Sequence, residues 1–158
     1  MFIAHRLLLA PLCSSAASPV TDLTAPFTWT VRVYWEDTDA GGVVYHASYL
    51  RFLERARTEY FRALGIEQGA LRLDNNVVFV VRDVSMRFAK PARLDDTLTV
   101  SVQLQERRPA SLAFQQSISR AADGATLVEA KVRAACVSAD GFRPRAIPDD
   151  LFPEFSSP

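Results

Sequence analysis

Cysteine and histidine are scarce in this chain. There are two cysteines, Cys13 and Cys136, and two histidines, His5 and His46. No Cys/His cluster with zinc spacing exists, and any histidine chemistry must rest on His46, because His5 lies close to the N-terminus. Charge of one sign is absent too: 18 basic residues face 18 acidic ones, without the basic excess of a general nucleic-acid binder. Glycine-rich phosphate loops, a G-x-S-x-G nucleophile elbow and an apolar run long enough to span a membrane are all missing. What remains is a chain of 158 residues, 49% hydrophobic and 23% charged, which suits one globular domain with a full core. Among the cationic residues, sixteen are arginine and two are lysine. Cys136 falls in an apolar alternation and is expected to be a buried free thiol, as in a reducing compartment.

Residues 1–26 differ from the rest. A thin basic start, Leu7 to Leu9 and a small polar run follow the order of a signal peptide, but Pro11 breaks the apolar part. A disordered leader or a misplaced start fits the same residues. The segment shows no periodic face, so it is expected to add nothing to the core. The domain is expected over residues 27–152, with a frayed tail at 153–158.

Phe27, Trp29, Val31, Val33 and Trp35 alternate with polar residues and predict a strand. Asp37 to Tyr45 carries Gly41-Gly42 and reads as a loop. Ser48 to Leu64 predicts a helix with Tyr49, Leu53, Ala56, Tyr60 and Leu64 on one face, stopped by Gly65. A short helix or turn is expected near Gln68 to Leu73. Val77 to Val81 is continuously apolar and predicts a strand covered on both faces, running on through Val84, Met86 and Phe88. Three further alternating strands follow, through Leu98 to Leu104, Leu112 to Ile118 and Val128 to Cys136. Asp123-Gly124 signals a type I′ hairpin, and a short helix is expected from Pro148. The pattern implies an α+β fold, an antiparallel sheet of about five strands wrapped around one long helix.

One stretch is richer than folding requires: Glu36 to His46 holds three carboxylates, two glycines, Tyr45 and His46 just ahead of the helix. A helix start offers unpaired N–H groups and a partial positive charge. A carboxylate beside that end suits acyl transfer, with the acid attacking or activating water and the amides holding the oxyanion. The same residues suit simple turn formation and capping. A calcium loop does not fit, because Val43 and Val44 occupy ligand positions.

The run Val31-Arg32-Val33-Tyr34-Trp35-Glu36-Asp37-Thr38-Asp39-Ala40-Gly41-Gly42-Val43-Val44-Tyr45-His46, followed by Glu54 to Glu59, resembles the hot-dog acyl-CoA thioesterases of the 4-hydroxybenzoyl-CoA thioesterase family. It is closest to the YbgC-like branch associated with the Tol-Pal system. Phe79 to Arg82, Pro91 to Asp96 and Pro144 to Pro148 share the resemblance, which covers about residues 27–152. It implies a hot-dog fold, a homodimer or homotetramer, and active sites at the subunit interface. It implies that Asp39 is the catalytic carboxylate and that Tyr45 and His46 position the carbonyl or the water.

In the benzoyl-type relatives a glycine N–H polarises the thioester carbonyl. The matching region here is Val78 and Phe79, without a glycine, and these two are substrate-binding candidates. The relatives also hold the nucleotide phosphate with an arginine pair, which Arg107 and Arg108 resemble in place. The implied activity is hydrolysis of acyl-CoA to a free acid and CoA in the cytoplasm, with acyl carrier protein as a possible second substrate carrier. It needs no metal or redox cofactor, because a thiolate is already a fair leaving group. The alternatives are an acyl-thioester dehydratase and an accessory protein that binds acyl carriers or envelope partners.

Overall fold

A computed structural model describes residues 25–152. The leader, apart from Ala25 and Pro26, and the tail at 153–158 lie outside the described residues. Strand β1 (Phe27–Arg32) is followed by helix α1 (His46–Ala63), the short helix α2 (Gln68–Asp74), and strands β2 (Val77–Phe88), β3 (Thr97–Arg108), β4 (Ser111–Arg120) and β5 (Thr126–Ser138). The strands form one antiparallel sheet in the order β1-β3-β4-β5-β2. The long helix and the five-stranded antiparallel sheet are the hot-dog arrangement that the sequence implies.

The core forms where the helix meets the inward face of the sheet. On α1 the buried residues include Tyr49, Phe52, Leu53, Ala56, Tyr60 and Phe61. They join Leu98, Val100, Val102, Leu112, Ile118 and Val132 in one cluster. The burial alternates along β3 as far as Leu104 and along β4 as far as Ile118, as the period of two requires. Helix α1 ends as Gly65 predicts: Gly65 has φ +75°, its N–H bonds the Arg62 carbonyl and the Ile66 N–H bonds the Phe61 carbonyl. Leu64, expected on the buried face, is only half-buried at that stop. Cys136 is buried with its thiol toward the Ala146 carbonyl, and burial pushes its pKa up.

Four expectations need correction. The first strand stops at Arg32, because the Asp37 carboxylate accepts the Tyr34 N–H at 2.9 Å and turns the chain. Trp35 therefore leaves the strand alternation and is 79% exposed. The β4–β5 connection is longer than a two-residue type I′ turn: Arg120 bonds the Ala125 carbonyl, and only Gly124 in the connection has positive φ. No helix forms at residues 148–152; instead Leu151 and Phe152 tuck into the core, with Phe152 against the Phe61 ring. Finally, β2 is not covered on both faces within this chain. It is a sheet edge, with Val81 49% and Phe88 52% exposed.

Candidate active site

The loop between β1 and α1 is tied down at both ends by backbone bonds. Thr38 and Val44 bridge antiparallel, the Asp39 N–H bonds the Val43 carbonyl at 3.0 Å, and the Gly42 N–H bonds the Asp39 carbonyl. This makes a tight turn with Asp39 at its entrance and Tyr45 and His46 just past its exit. Asp39 is exposed, and its Oδ1 accepts the Gly41 N–H at 2.8 Å. A β-carbon at Gly41 would stand 3.0 Å from that oxygen, a tight contact, and Gly42 has φ +71°. Gly42 turns the chain, and Gly41 lets the carboxylate sit against the backbone without having to shift.

Asp37 plays a different part. It is 2% exposed, its side chain takes the Tyr34 N–H, and its own carbonyl accepts the Tyr45 N–H at 2.8 Å. It builds the turn and sets the start of α1 and does not face solvent. Asp37→Asn keeps an acceptor oxygen there and is expected to fold with little loss. Asp37→Ala leaves the Tyr34 N–H without its acceptor and is expected to cost about 1–3 kcal/mol. Thermal melts of the two variants check this; equal melting temperatures would refute it.

His46 opens α1 and packs against Tyr45 with the rings tilted by 55° and their centroids 4.4 Å apart. The N–H groups of His46 and Ala47 take no backbone acceptor among the described residues, while Ser48 bonds back to the Tyr45 carbonyl. A cavity of about 280 Å³ opens beside this helix start, lined by His46, Tyr49, Phe88, Lys90 and Pro91 among others. Tyr49 and Lys90 were not singled out by sequence as site residues. Tyr49 reads as core by its helical spacing, and its role shows only in a contact 43 residues away: its hydroxyl accepts the Ala92 N–H at 2.9 Å. The Ala92 carbonyl in turn accepts the Val44 N–H. Ala92 is thus clamped between loop and helix, which fixes the cleft wall.

The remaining sequence candidates lie elsewhere in this chain. Arg107 and Arg108 end β3, whereas the Asp39 loop meets the start of β3, where Arg32 pairs with Thr97 and Val33 bonds Asp96. At 3.3 Å per residue the strand separates them by roughly 30 Å. Arg107 is largely buried and donates to the carbonyls of Ile147 and Pro148, so it holds the C-terminal segment. Its Nε is the one fully buried side-chain polar atom without a partner among the described residues. Arg108 is exposed and pairs with Glu106 at 2.8 Å. Val78 and Phe79 begin β2, and Phe88 at its other end lines the cleft, again roughly 30 Å away. Tyr45 and His46 pack against each other at the helix start, Asp39 sits on the turn that leads into it, and Arg107, Arg108, Val78 and Phe79 lie at the far end of the sheet. Among the described residues no three His, Cys, Asp or Glu side chains cluster as a metal-binding group. No described helix is long and apolar enough to cross a membrane.

The comparisons with known proteins converge on one family. The model of the Thioesterase-like superfamily matches residues 33–155. The chain is 48% identical over 132 residues to the Acyl-CoA thioester hydrolase YbgC of Escherichia coli O6:H1, covering 84% of this chain and 97% of that protein. It is 43% identical over 125 residues to the Acyl-CoA thioesterase YbgC of Haemophilus influenzae, covering 79% and 90%. The crystal structure of a probable thioesterase from Bartonella henselae superposes with a TM-score of 0.68 at 36% identity, covering 78% of this chain and 99% of that one. With an intact Asp39 turn ahead of α1 and these matches along most of its length, the chain belongs to the thioesterase-like superfamily, in its YbgC-like branch.

Proposed function

We propose that this protein hydrolyses acyl-CoA thioesters to a free acid and CoA, with Asp39 as the catalytic carboxylate. The observation that carries this is an exposed carboxylate held by a glycine turn at the start of α1, where two helix amides have no acceptor. The names of the YbgC relatives support the substrate class. The His46 and Ala47 amides suit an oxyanion at the thioester carbonyl. Asp39 either attacks that carbon, expelling the thiolate and leaving a mixed anhydride that water opens, or takes the proton of an attacking water. In both routes the sulfur leaves with the electron pair and Asp39 is regenerated. Tyr45 and His46 flank the carbonyl and orient it.

The site is completed by a second copy of the chain. Strand β2 pairs with β5 on one side only, leaves its outer edge without a strand neighbour in this chain, and exposes Val81, Val84 and Phe88. Such an edge invites pairing. Antiparallel pairing about the middle of β2 sets the second copy's Val78 and Phe79 beside this protomer's cleft at Phe88. It places the far end of the second copy's sheet toward Asp39 as well, which gives Arg108 access to the nucleotide phosphates; Arg107 is already committed to the C-terminal segment. The proposed enzyme is a homodimer or homotetramer, acting in the cytoplasm on CoA and acyl carrier thioesters. Light scattering at micromolar concentration is expected to give at least twice the 17.5 kDa chain mass. A monomer that retains activity would overturn the shared site.

The function itself is tested by thiol release across a panel of acyl-CoA and acyl carrier thioesters. Stoichiometric thiol with free acid supports hydrolysis. Loss of water from the acyl chain with the thioester intact would assign a dehydratase instead.

A further inference from the structure

The connection between β2 and β3, residues 89–96, holds both arms of the Asp39 turn. On the entry arm the Val33 N–H bonds the Asp96 carbonyl at 3.0 Å, and the Asp95 N–H bonds the Val33 carbonyl at 3.1 Å. On the exit arm the Val44 N–H bonds the Ala92 carbonyl at 2.9 Å. The bonds from Asp39 to Val43, from Gly42 to Asp39 and from Tyr45 to Asp37 stay inside the loop. They fix its shape but not its place against the sheet. Ala89, Lys90 and Pro91 of the same connection line the cleft beside His46. One segment therefore carries the turn and one wall of the cleft.

Two side chains anchor that segment. Arg120, at the end of β4, donates to the Pro91 carbonyl at 3.0 Å and pairs with Asp96 at 3.2 Å. Tyr49 reaches the segment from α1. Its hydroxyl accepts the Ala92 N–H at 2.9 Å, and both residues are buried. Burial pushes the Tyr49 pKa up, so the group is a neutral phenol at neutral pH. Its ring meets Phe88 edge-on, the centroids 5.7 Å apart, and both line the cleft. Tyr49 also stands three residues after His46, so it moves with the helix start. Ala92 is thus bonded at its N–H by the helix and at its carbonyl by the turn. Without the hydroxyl, a buried N–H would have no acceptor.

Building on the thioesterase function above, we propose that Tyr49 is a positioning residue: through Ala92 and Val44, its hydroxyl sets the Asp39 turn against the first amides of α1. The carboxylate sits on the turn and the amides on the helix. A reaction that needs both depends on how those two elements are placed relative to each other. The hydroxyl bonds Ala92, and its effect reaches Asp39 through the backbone of the exit arm.

Tyr49→Phe tests this, because it keeps the ring and deletes the hydroxyl. Ile118→Val, at a wholly buried position in β4, is the control for lost stability alone. The substrate is the acyl-CoA that the wild type cleaves fastest, at a temperature where every variant is folded. Tyr49→Phe is expected to lower kcat by about 10–100-fold with KM within about threefold. Ile118→Val is expected to keep kcat within about twofold. Amide hydrogen exchange reads the same path without turnover. The Ala92 and Val44 N–H groups are expected to exchange about tenfold faster in Tyr49→Phe than in Ile118→Val, with β3 and β4 alike in the two. Ala92→Gly loosens the middle of the path, is expected to lower kcat in the same direction, and reads the path if Tyr49→Phe does not fold. The double variant is expected to be no slower than the slower single, because both changes act on one link. A normal kcat in Tyr49→Phe overturns the assignment, as does a loss that Ile118→Val matches or one confined to KM. Losses that multiply in the double variant overturn it too. Faster exchange at Ala92 and Val44, with no thiol released by the wild type, leaves the path standing and removes the hydrolase function. Unchanged exchange at both amides, with thiol release intact, removes the path and leaves the function.

Discussion

Asp39→Asn is expected to lower kcat for thiol release by at least ~100-fold while the protein folds and assembles normally. The amide is nearly isosteric, and its oxygen still accepts the Gly41 N–H that fixes this side chain at 2.8 Å. The turn therefore keeps its shape. What is lost is the negative charge, and with it both the nucleophile and the base. KM is expected to move much less, because binding energy comes from the acyl and CoA portions, which lie away from this oxygen. Steady-state thiol release, with circular dichroism and light scattering as controls, makes the measurement. Near-normal kcat in Asp39→Asn would remove Asp39 from the chemistry. A larger loss in Asp37→Asn than in Asp39→Asn would do the same, since Asp37 is buried and serves the Tyr34 N–H.

Phe52→Ala is expected to be the most damaging of the core substitutions considered, at about 3–5 kcal/mol. Phe52 is wholly buried on α1 and packs edge-on against Tyr49, the centroids 6.1 Å apart. Removing the ring leaves a cavity between helix and sheet, because the surrounding strands are hydrogen-bonded and cannot close on it. A domain of this size has about 5–15 kcal/mol in total, so the variant is expected to be marginal. The effect reaches the cleft as well. Tyr49 loses its packing neighbour, and Tyr49 is what holds Ala92 and the cleft wall. Leu50→Ala, two residues earlier and exposed, is expected to stay within about 0.5 kcal/mol. Urea unfolding of both variants gives the midpoints. A Phe52→Ala midpoint no lower than that of Leu50→Ala would show that this face is not the core.

The parts legible in the chain are those with a local cause. The period of α1 and its Gly65 stop are set within a few residues, and so are the alternations of β3, β4 and β5. The glycine turn that holds Asp39 was legible for the same reason. Asp39, Gly41 and Gly42 act through bonds no longer than four residues, and Tyr45 and His46 follow at the helix start. Trp35 was misplaced because alternation says where a side chain would point if the strand continued, and the Asp37 carboxylate ends the strand by taking a backbone N–H. Gln116 carried a signal that was not used: it is a polar residue at an inward position of β4, between Phe114 and Ile118.

The sequence by itself determined the elements, the shape of the Asp39 turn and the membership of the family, because each rests on residue spacing or on a contiguous motif. Tertiary structure alone decided which strand is the edge, because the order β1-β3-β4-β5-β2 depends on pairings between distant segments. The continuous apolar run of β2 looks like a fully covered strand, and within one chain it is not. It alone decided that Arg107 binds the C-terminal segment, 40 residues on, and that Arg57 meets Gln116 across 59 residues. Contacts of that range leave no period in the chain. They are set when the sheet curls onto α1 and brings side chains together that share no local pattern.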